Sequence, residues 1–358
     1  MAELLITEEI AEAAILGGAL LGGGGGGALS KGRVNFKTAL EGGPLGLVDI
    51  DDIGPDEILV TGSAVGAPAA KESQAIPKDY VRAVEILMEN GCPRPGGFIP
   101  NECGGSSITN GWVPAALMGL PLVDALCNGR AHPTGTMGSM GLHRDSTYVS
   151  RQAAAGGNPG KGLYLELHVA GQMDAIAPLI RAAADRAGGL VAVARNPVKA
   201  SYVKQYGAPG ALKQAIALGK RMLACGQDGG AVAAAAVDFL GGTIIAHDRV
   251  RELELVTRGG FDTGAIRIGD YETSFWNEFM TLEQGGKRLG TFPDLIMTVS
   301  ATGLPVTTAE LKKGDEVYLL LVPASRLILG EGMRCRDLME AIEPVVNKKI
   351  VEYISFLT

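Results

Sequence analysis

Two short stretches of this 358-residue chain concentrate side chains able to do acid, base or ligand chemistry. The first, PNECGGSSITNG, places Asn101, Glu102 and Cys103 directly before paired glycines. A carboxylate beside a thiol can act as base and nucleophile, bind a metal or take up sulfur. The same thiol can instead be a small buried filler, and the carboxylate a clasp for its own loop. The second stretch, DALCNGRAHPTGTMGSMGLHRD, holds Asp124, Arg130, His132 and His143, and with them two of the four histidines of the chain. His132 and His143 beside carboxylates suggest ligation of a divalent metal such as zinc, although their separation matches no common ligand spacing. Arg130 in a glycine-rich loop suits a planar carboxylate or amide-like anion, or else a surface ion pair.

A third group, Asn277 and Glu278 in SFWNEFMTLEQGG with Asp294 downstream, is flanked by Trp276, Phe279 and Phe292. Such residues either line a cleft between domains or cap turns. The run Gly22–Gly27 in ALLGGGGGGALSKGR fails the P-loop pattern because Ser30 precedes Lys31. It satisfies the dinucleotide pattern only as any glycine run does, and it follows a helix where that pattern requires a strand. A slack loop, a nucleotide cradle and a loop pressed against another ligand all remain open for it, the last through bare backbone at Gly24, Gly25 and Gly26. His168 and His247, each within a strand, read as hydrogen-bonded structural residues.

The elements that must position these groups change texture along the chain. Thr7 with Glu8 and Glu9 marks a helix start whose end is expected near Gly17–Gly18 or Gly22. Strands are expected over Leu47–Ile50, Ile58–Thr61, GGFIP and PLVDAL, with helices over PKDYVRAVEILMENG and ITNGWVPAALMGL between them. This alternation predicts an α/β fold, a mainly parallel sheet with flanking helices, whose binding loops gather after the strands. Those loops are TGSAVGAPAAKES and the two stretches that open this section. A strand in GLYLELHVAG, a helix in QMDAIAPLIRAAADRAGG, a strand in LVAVAR and a helix in PGALKQAIALGKRMLACG follow. From about 239 to 323 short alternating strands with glycine turns predict a β-rich module, a small barrel or sandwich. We therefore divide the chain into an α/β domain over 1–168 and a C-terminal domain over 169–358, whose tail, CRDLMEAIEPVVNKKIVEYISFL, reads as an amphipathic helix docking on the body.

Composition bounds the function. A hydrophobic fraction of 46% and a formal charge of −7 fit a folded protein with no general affinity for nucleic acid. No apolar run is long enough to cross a bilayer and the acidic N-terminus lacks a secretory signature, so the expected location is cytoplasmic, with reduced thiols. The small-residue segment Ala231–Val237 permits a homo-oligomer.

In series, AILGGALLGGGGGG, ILVTGSAVGAPAAKES, IPNECGGSSITNGWVPAALMGLPLVDALCNGRAHP, RGGFDTGAIRI, FWNEFMTLEQGGKRLGTFPDLIMTV and TGLPVTTAELKKGDEVYLLLVPA resemble the S-methyl-thiohydantoin desulfurase family in the family's order. The resemblance implies a two-domain enzyme that removes sulfur from a thiohydantoin ring by hydrolysis to leave a hydantoin. Within it, Glu102 or Asp124 would activate water, His132 would assist as acid or metal ligand, and Cys103 would attack or accept sulfur. Arg130 with Gly24, Gly25 and Gly26 would hold the ring, beside Asn277 and Glu278. The chain departs from the family pattern at Cys103, where many relatives have isoleucine, and at His132, where they have phenylalanine. A nucleotide-dependent enzyme using the glycine run and a non-catalytic partner subunit of a hydantoinase-like enzyme are the alternatives.

Overall fold

In a computed structural model of the chain, residues 4–66 and 74–357 are described. The end of the loop expected at TGSAVGAPAAKES, residues 67–73, lies outside them. The first sheet consists of β1 (Leu4–Leu5), β2 (Gly46–Asp49), β3 (Ile58–Gly66), β4 (Gly97–Pro100), β5 (Leu122–Leu126), β6 (Ser150–Gly156), β7 (Leu165–Gly171), β8 (Leu190–Lys199) and β9 (Ala208–Pro209). Their order is β1-β2-β5-β4-β3-β8-β6-β7, with β9 alongside β5. The block β2-β5-β4-β3 is parallel, and β8, β6 and β7 extend it antiparallel. The expected α/β half with its parallel strands is therefore present within a mixed sheet, and β8 and β9 join that sheet from beyond residue 168.

Helices α1 (Glu8–Leu21), α2 (Leu29–Gly42), α3 (Pro77–Glu89), α4 (Trp112–Met118), α5 (Met173–Arg186), α6 (Ala200–Tyr206), α7 (Ala211–Ala224) and α8 (Gly229–Leu240) flank the sheet and its junction with the second half. The hydroxyl of Thr7 caps α1 by accepting from the Ile10 N–H. Gly17 and Gly18 do not end that helix. Instead α1 lies backbone to backbone on α7: a Cβ at Gly17 would sit 1.9 Å from the Ala215 carbonyl, and one at Gly219 would sit 1.8 Å from that of Ala13. The small residues Ala233 and Ala236 of α8 are buried within the chain.

The second half is wholly antiparallel: β10 (Thr243–Arg258), β11 (Phe261–Ile268), β12 (Tyr271–Trp276), β13 (Glu278–Gln284), β14 (Lys287–Thr291), β15 (Leu295–Ser300), β16 (Pro305–Val306) and β17 (Glu316–Val322). The beginning of β10 pairs with β17 and its end with β11. The sheet thus folds over itself around Phe275, Phe279, Leu282, Ile296 and Leu319. The C-terminal tail docks, but not as one helix. Only Arg336–Glu340 and Glu343–Val346 are helical, because Pro344 suits only a helix start and Asn347 turns left-handed at φ 50°. Its apolar residues Met339, Ile350 and Ile354 join a core that runs from Leu20, Phe98 and Trp112 through Phe292 and Met297, so apolar packing continues across both halves.

Candidate active site

The loops after β4 and β5 run side by side. The Asn128 N–H donates to the Asn101 carbonyl (3.1 Å) and Glu102 pairs with Asn128 as a parallel bridge. That pairing carries the two chemistry-bearing stretches into contact. Oε2 of Glu102 accepts the backbone N–H of His132 (3.1 Å) and lies 3.2 Å from its Nε2. Nδ2 of Asn101 lies 3.1 Å from the same Nε2 and 3.4 Å from Oε2 of Glu102. Nδ1 of His132 is 2.9 Å from the Thr134 carbonyl. A carbonyl can only accept, so Nδ1 carries the proton and Nε2 accepts from the Asn101 amide with the Glu102 carboxyl close by. Burial pushes Glu102 up to about 7 and holds His132 down at about 3, the latter aided by the charge of Arg195. Burial thus disfavours the charged form of both side chains.

The glycine run brings a second carboxyl to the same cavity. Gly23 and Gly24 accept from the N–H groups of Phe279 and Thr308 (2.9 Å each), and Gly26 accepts from those of Ser106 and Ser107 (3.1 and 3.0 Å). The run is therefore a strap between the two halves. At Gly25 a Cβ would lie 1.9 Å from Oε1 of Glu278, and at Gly26, with φ +74°, it would meet the Gly104 Cα at 2.5 Å, so both positions exclude a side chain. Glu278, at the start of β13, is buried, and burial with the charge of Glu102 raises its pKa far above the usual carboxylate range. Asn277 beside it turns left-handed (φ 56°) and its Oδ1 accepts the Asp262 N–H (2.9 Å).

Two arginines that sequence reasoning missed complete the cavity. Arg181 of α5 donates to the carbonyls of Pro133, Gly260 and Gly66 at 3.1, 2.8 and 3.3 Å and stacks on Phe261, 4.1 Å from the ring centre. Arg195 of β8 is 3% exposed, and no described residue accepts a hydrogen bond from its Nε. Burial lowers both guanidinium pKa values, Arg181 to about 10. Glu102, His132, Arg181, Arg195, Asn277 and Glu278 all border one cavity, closed on one side by Gly26 and Gly27. The signal for Arg195 was present: a cation inside the otherwise apolar strand LVAVAR has no cheap place to go.

The other residues singled out from sequence lie elsewhere. Cys103 is buried in the main apolar core, its pKa raised by burial, and does not border the cavity. Asp124 accepts the N–H groups of Leu212 and Lys213 (3.1 and 3.2 Å) and thereby caps α7. Arg130 is fully buried beneath the glycine strap, donating to the Ala131, Pro293 and Asp294 carbonyls over the Phe292 ring. It braces the cavity wall and does not border the cavity. Gly24 and Gly25 also turn inward, since their N–H groups go to Met297 Sδ (3.1 Å) and the Gly22 carbonyl (3.3 Å). Asp294 is occupied by the Thr291 and Ala324 N–H groups.

His143 does not join His132. Its Nε2 lies 2.9 Å from Oδ2 of Asp337, and among the described residues His143, Cys335 and Asp337 form the group of potential metal ligands. His247 lies 3.0 Å from Glu316 and stacks on Tyr318, a structural role.

Fold and site together define a two-sheet protein that surrounds a polar cavity with buried acids and arginines where its halves meet. The chain belongs to the S-Me-THD-like family: the model of that family's N-terminal domain matches residues 10–159 and that of its C-terminal domain residues 172–334. Among curated proteins none matches. A crystal structure of a protein from Chromobacterium violaceum, a Northeast Structural Genomics Consortium target, shares the fold at 18% identity and TM-score 0.72, over 95% of this chain and 97% of its own. Among the described residues no helix is long and apolar enough to cross a membrane.

Proposed function

We propose that the chain is an enzyme that hydrolyses the exocyclic carbon–sulfur bond of an S-methyl-thiohydantoin, releasing methanethiol and leaving a hydantoin. The observation that supports this reading is the pair of buried carboxyls, Glu102 and Glu278, both held above the usual carboxylate range by burial within one cavity of an S-Me-THD-like chain. Two such acids can divide the work of base and acid between them. Glu102, near 7, takes a proton from water as its oxygen bonds to the ring carbon bearing sulfur. His132, held by the Thr134 carbonyl and the Asn101 amide, keeps the Glu102 carboxyl in place through its backbone N–H. Glu278, protonated, donates to the departing sulfur as the carbon–sulfur bond breaks, so the thiol leaves neutral. Arg195 meets the imide edge of the ring, where negative charge develops. With an unmethylated thiohydantoin the same steps release hydrogen sulfide.

The glycine run offers little to a nucleotide, because the N–H groups of Gly22 to Gly25 are all used within the chain. Purified protein incubated with S-methyl-thiohydantoin is expected to produce methanethiol and hydantoin in equal amounts with saturable kinetics. Absence of both products, with intact fold, would reject the reading in favour of a binding subunit.

A further inference from the structure

His143, Cys335 and Asp337 lie outside the cavity of Glu102 and Glu278, and the reaction proposed above does not use them. They meet because two distant segments of the chain pack backbone to backbone. A Cβ at Gly332 would sit 1.8 Å from the Met137 carbonyl oxygen, and Gly141, left-handed at φ 82°, faces the Glu331 side chain. This contact sets the turn Leu142–Arg144 against the helical turn Arg336–Glu340. Nε2 of His143 is then 2.9 Å from Oδ2 of Asp337, across 194 residues of chain. Sγ of Cys335 converges on the same pair, so that one nitrogen, one sulfur and one oxygen all lie within 4.8 Å of one another.

The groups behind these atoms hold them as ligands need to be held. Nδ1 of His143 faces the fully buried Ser139 hydroxyl at 3.5 Å, which orients the ring and leaves Nε2 toward Asp337. Oδ1 of Asp337 accepts from Arg144 at 3.2 Å, which turns Oδ2 inward. Cys335 is fully buried and donates to the Glu331 carbonyl at 3.3 Å, whereas the Asp337 side chain is 54% exposed. The cluster therefore runs from core to solvent, and an ion has a way in past the carboxylate.

We infer that this cluster binds one zinc ion, with the Cys335 thiolate, Nε2 of His143 and a carboxylate oxygen of Asp337 as ligands and water in a fourth position. Thiolate with imidazole selects zinc over magnesium or calcium, which take oxygen ligands. Binding releases the thiol proton to solvent, and the two anionic ligands then match the charge of the ion. The ion fastens the C-terminal tail to the loop that backs the active site, since a Cβ at Gly138 in that loop would meet His132 Cε1 at 2.6 Å. The inference does not depend on the proposed reaction.

Chelator-treated protein titrated with cobalt(II), a spectroscopic stand-in for zinc, is expected to take up one equivalent, with a thiolate-to-cobalt charge-transfer band in the near ultraviolet. Competition with a chromophoric chelator gives the zinc affinity. Cys335→Ser and His143→Gln should each lower it more than about a hundredfold, beyond the loss that removing a supporting partner causes. Cys335→Ser should also abolish the band, and zinc should raise Tm in the wild type but not in that variant. Should Cys335→Ser not fold, Asp337→Asn, at an exposed carboxylate, reads the same site by its weakened zinc affinity. No stoichiometric uptake, uptake without the thiolate band, or an affinity unchanged in these variants would overturn the assignment. Methanethiol release tests the desulfuration reading separately, so the two can fail independently.

Discussion

Oε2 of Glu102 and Nε2 of His132 stand 3.2 Å apart, although they come from loops after different strands. Nδ1 of His132 is committed to the Thr134 carbonyl and Nε2 to the Asn101 amide, so the imidazole stays fixed beside the carboxyl.

The pair makes stability nearly independent of pH where each partner alone would not. Between about pH 4.5 and 6.5 the unfolded chain holds one proton on His132, and the folded chain holds one on Glu102. The counts are equal, so the pair contributes no slope. In Glu102→Gln, folded His132 stays neutral to about 3 while the unfolded imidazole charges below 6.5, so stability falls as pH drops through that window. In His132→Phe, folded Glu102 keeps its proton to about 7 while the unfolded carboxyl loses it above 4.5, so stability falls as pH rises. Each slope is at most about 1.4 kcal/mol per pH unit. Urea titrations across pH, read as differences from wild type, should show opposite signs, and slopes of the same sign would refute the opposed shifts of the two groups.

Turnover should rise with pH through about 7 as Glu102 ionises. Glu102→Gln and Glu278→Gln should each reduce kcat by about 10²- to 10⁴-fold, the usual contribution of one acid or base group. Both exchange a buried carboxyl for an amide of the same shape, so at neutral pH Tm should change little. A profile of kcat/KM with no rising limb would exclude Glu102 as the base.

Gly25→Ala should damage the site through Glu278. The added Cβ would overlap Oε1 and must push the carboxyl or the strap aside, at about 1–3 kcal/mol, the range for overpacking. We expect lower Tm together with a kcat loss approaching that of Glu278→Gln. Unchanged activity would show that Glu278 can be displaced harmlessly.

The two buried arginines should separate by phenotype. Arg130→Met leaves the Pro293 and Asp294 carbonyls without their donor, and one unsatisfied buried group costs about 1–3 kcal/mol, so Tm should fall. Arg195→Met removes a cation whose Nε has no acceptor among the described residues, so folding should hold while kcat/KM drops. Thermal melts and initial rates on the same preparations distinguish them, and the reverse assignment would contradict the placement of both side chains.

Local signals in the chain were sufficient for much of the architecture. Thr7 as a cap, Pro77 opening α3, and the switch to short strands after α8 each depend on neighbours within a few residues, and each appears as read. Such features are set by backbone hydrogen bonding and side-chain period, which a linear text carries. Glu102, His132 and Glu278 were also legible as polar residues at strand ends.

What only the tertiary structure decided is which of these residues face each other, and therefore what each one does. Asp124 and Glu102 both follow an apolar strand-forming run in the sequence, yet one meets the start of α7 and the other a cavity. Arg130 resembled an anion binder until three carbonyls closed around it. Arg181 enters the site from a helix face that gives no sign of it, and Arg195 from an apolar strand that marks a buried cation without saying what it faces. The glycine run turned out to be a strap whose bare backbone makes room for Glu278. Proximity between segments hundreds of residues apart, and the loss of water that shifts their protons, arise from packing. No residue type or local spacing encodes them, and so the elements were readable from the chain while the meeting of Glu102 and Glu278 at one cavity was fixed only when the two halves closed on a common core.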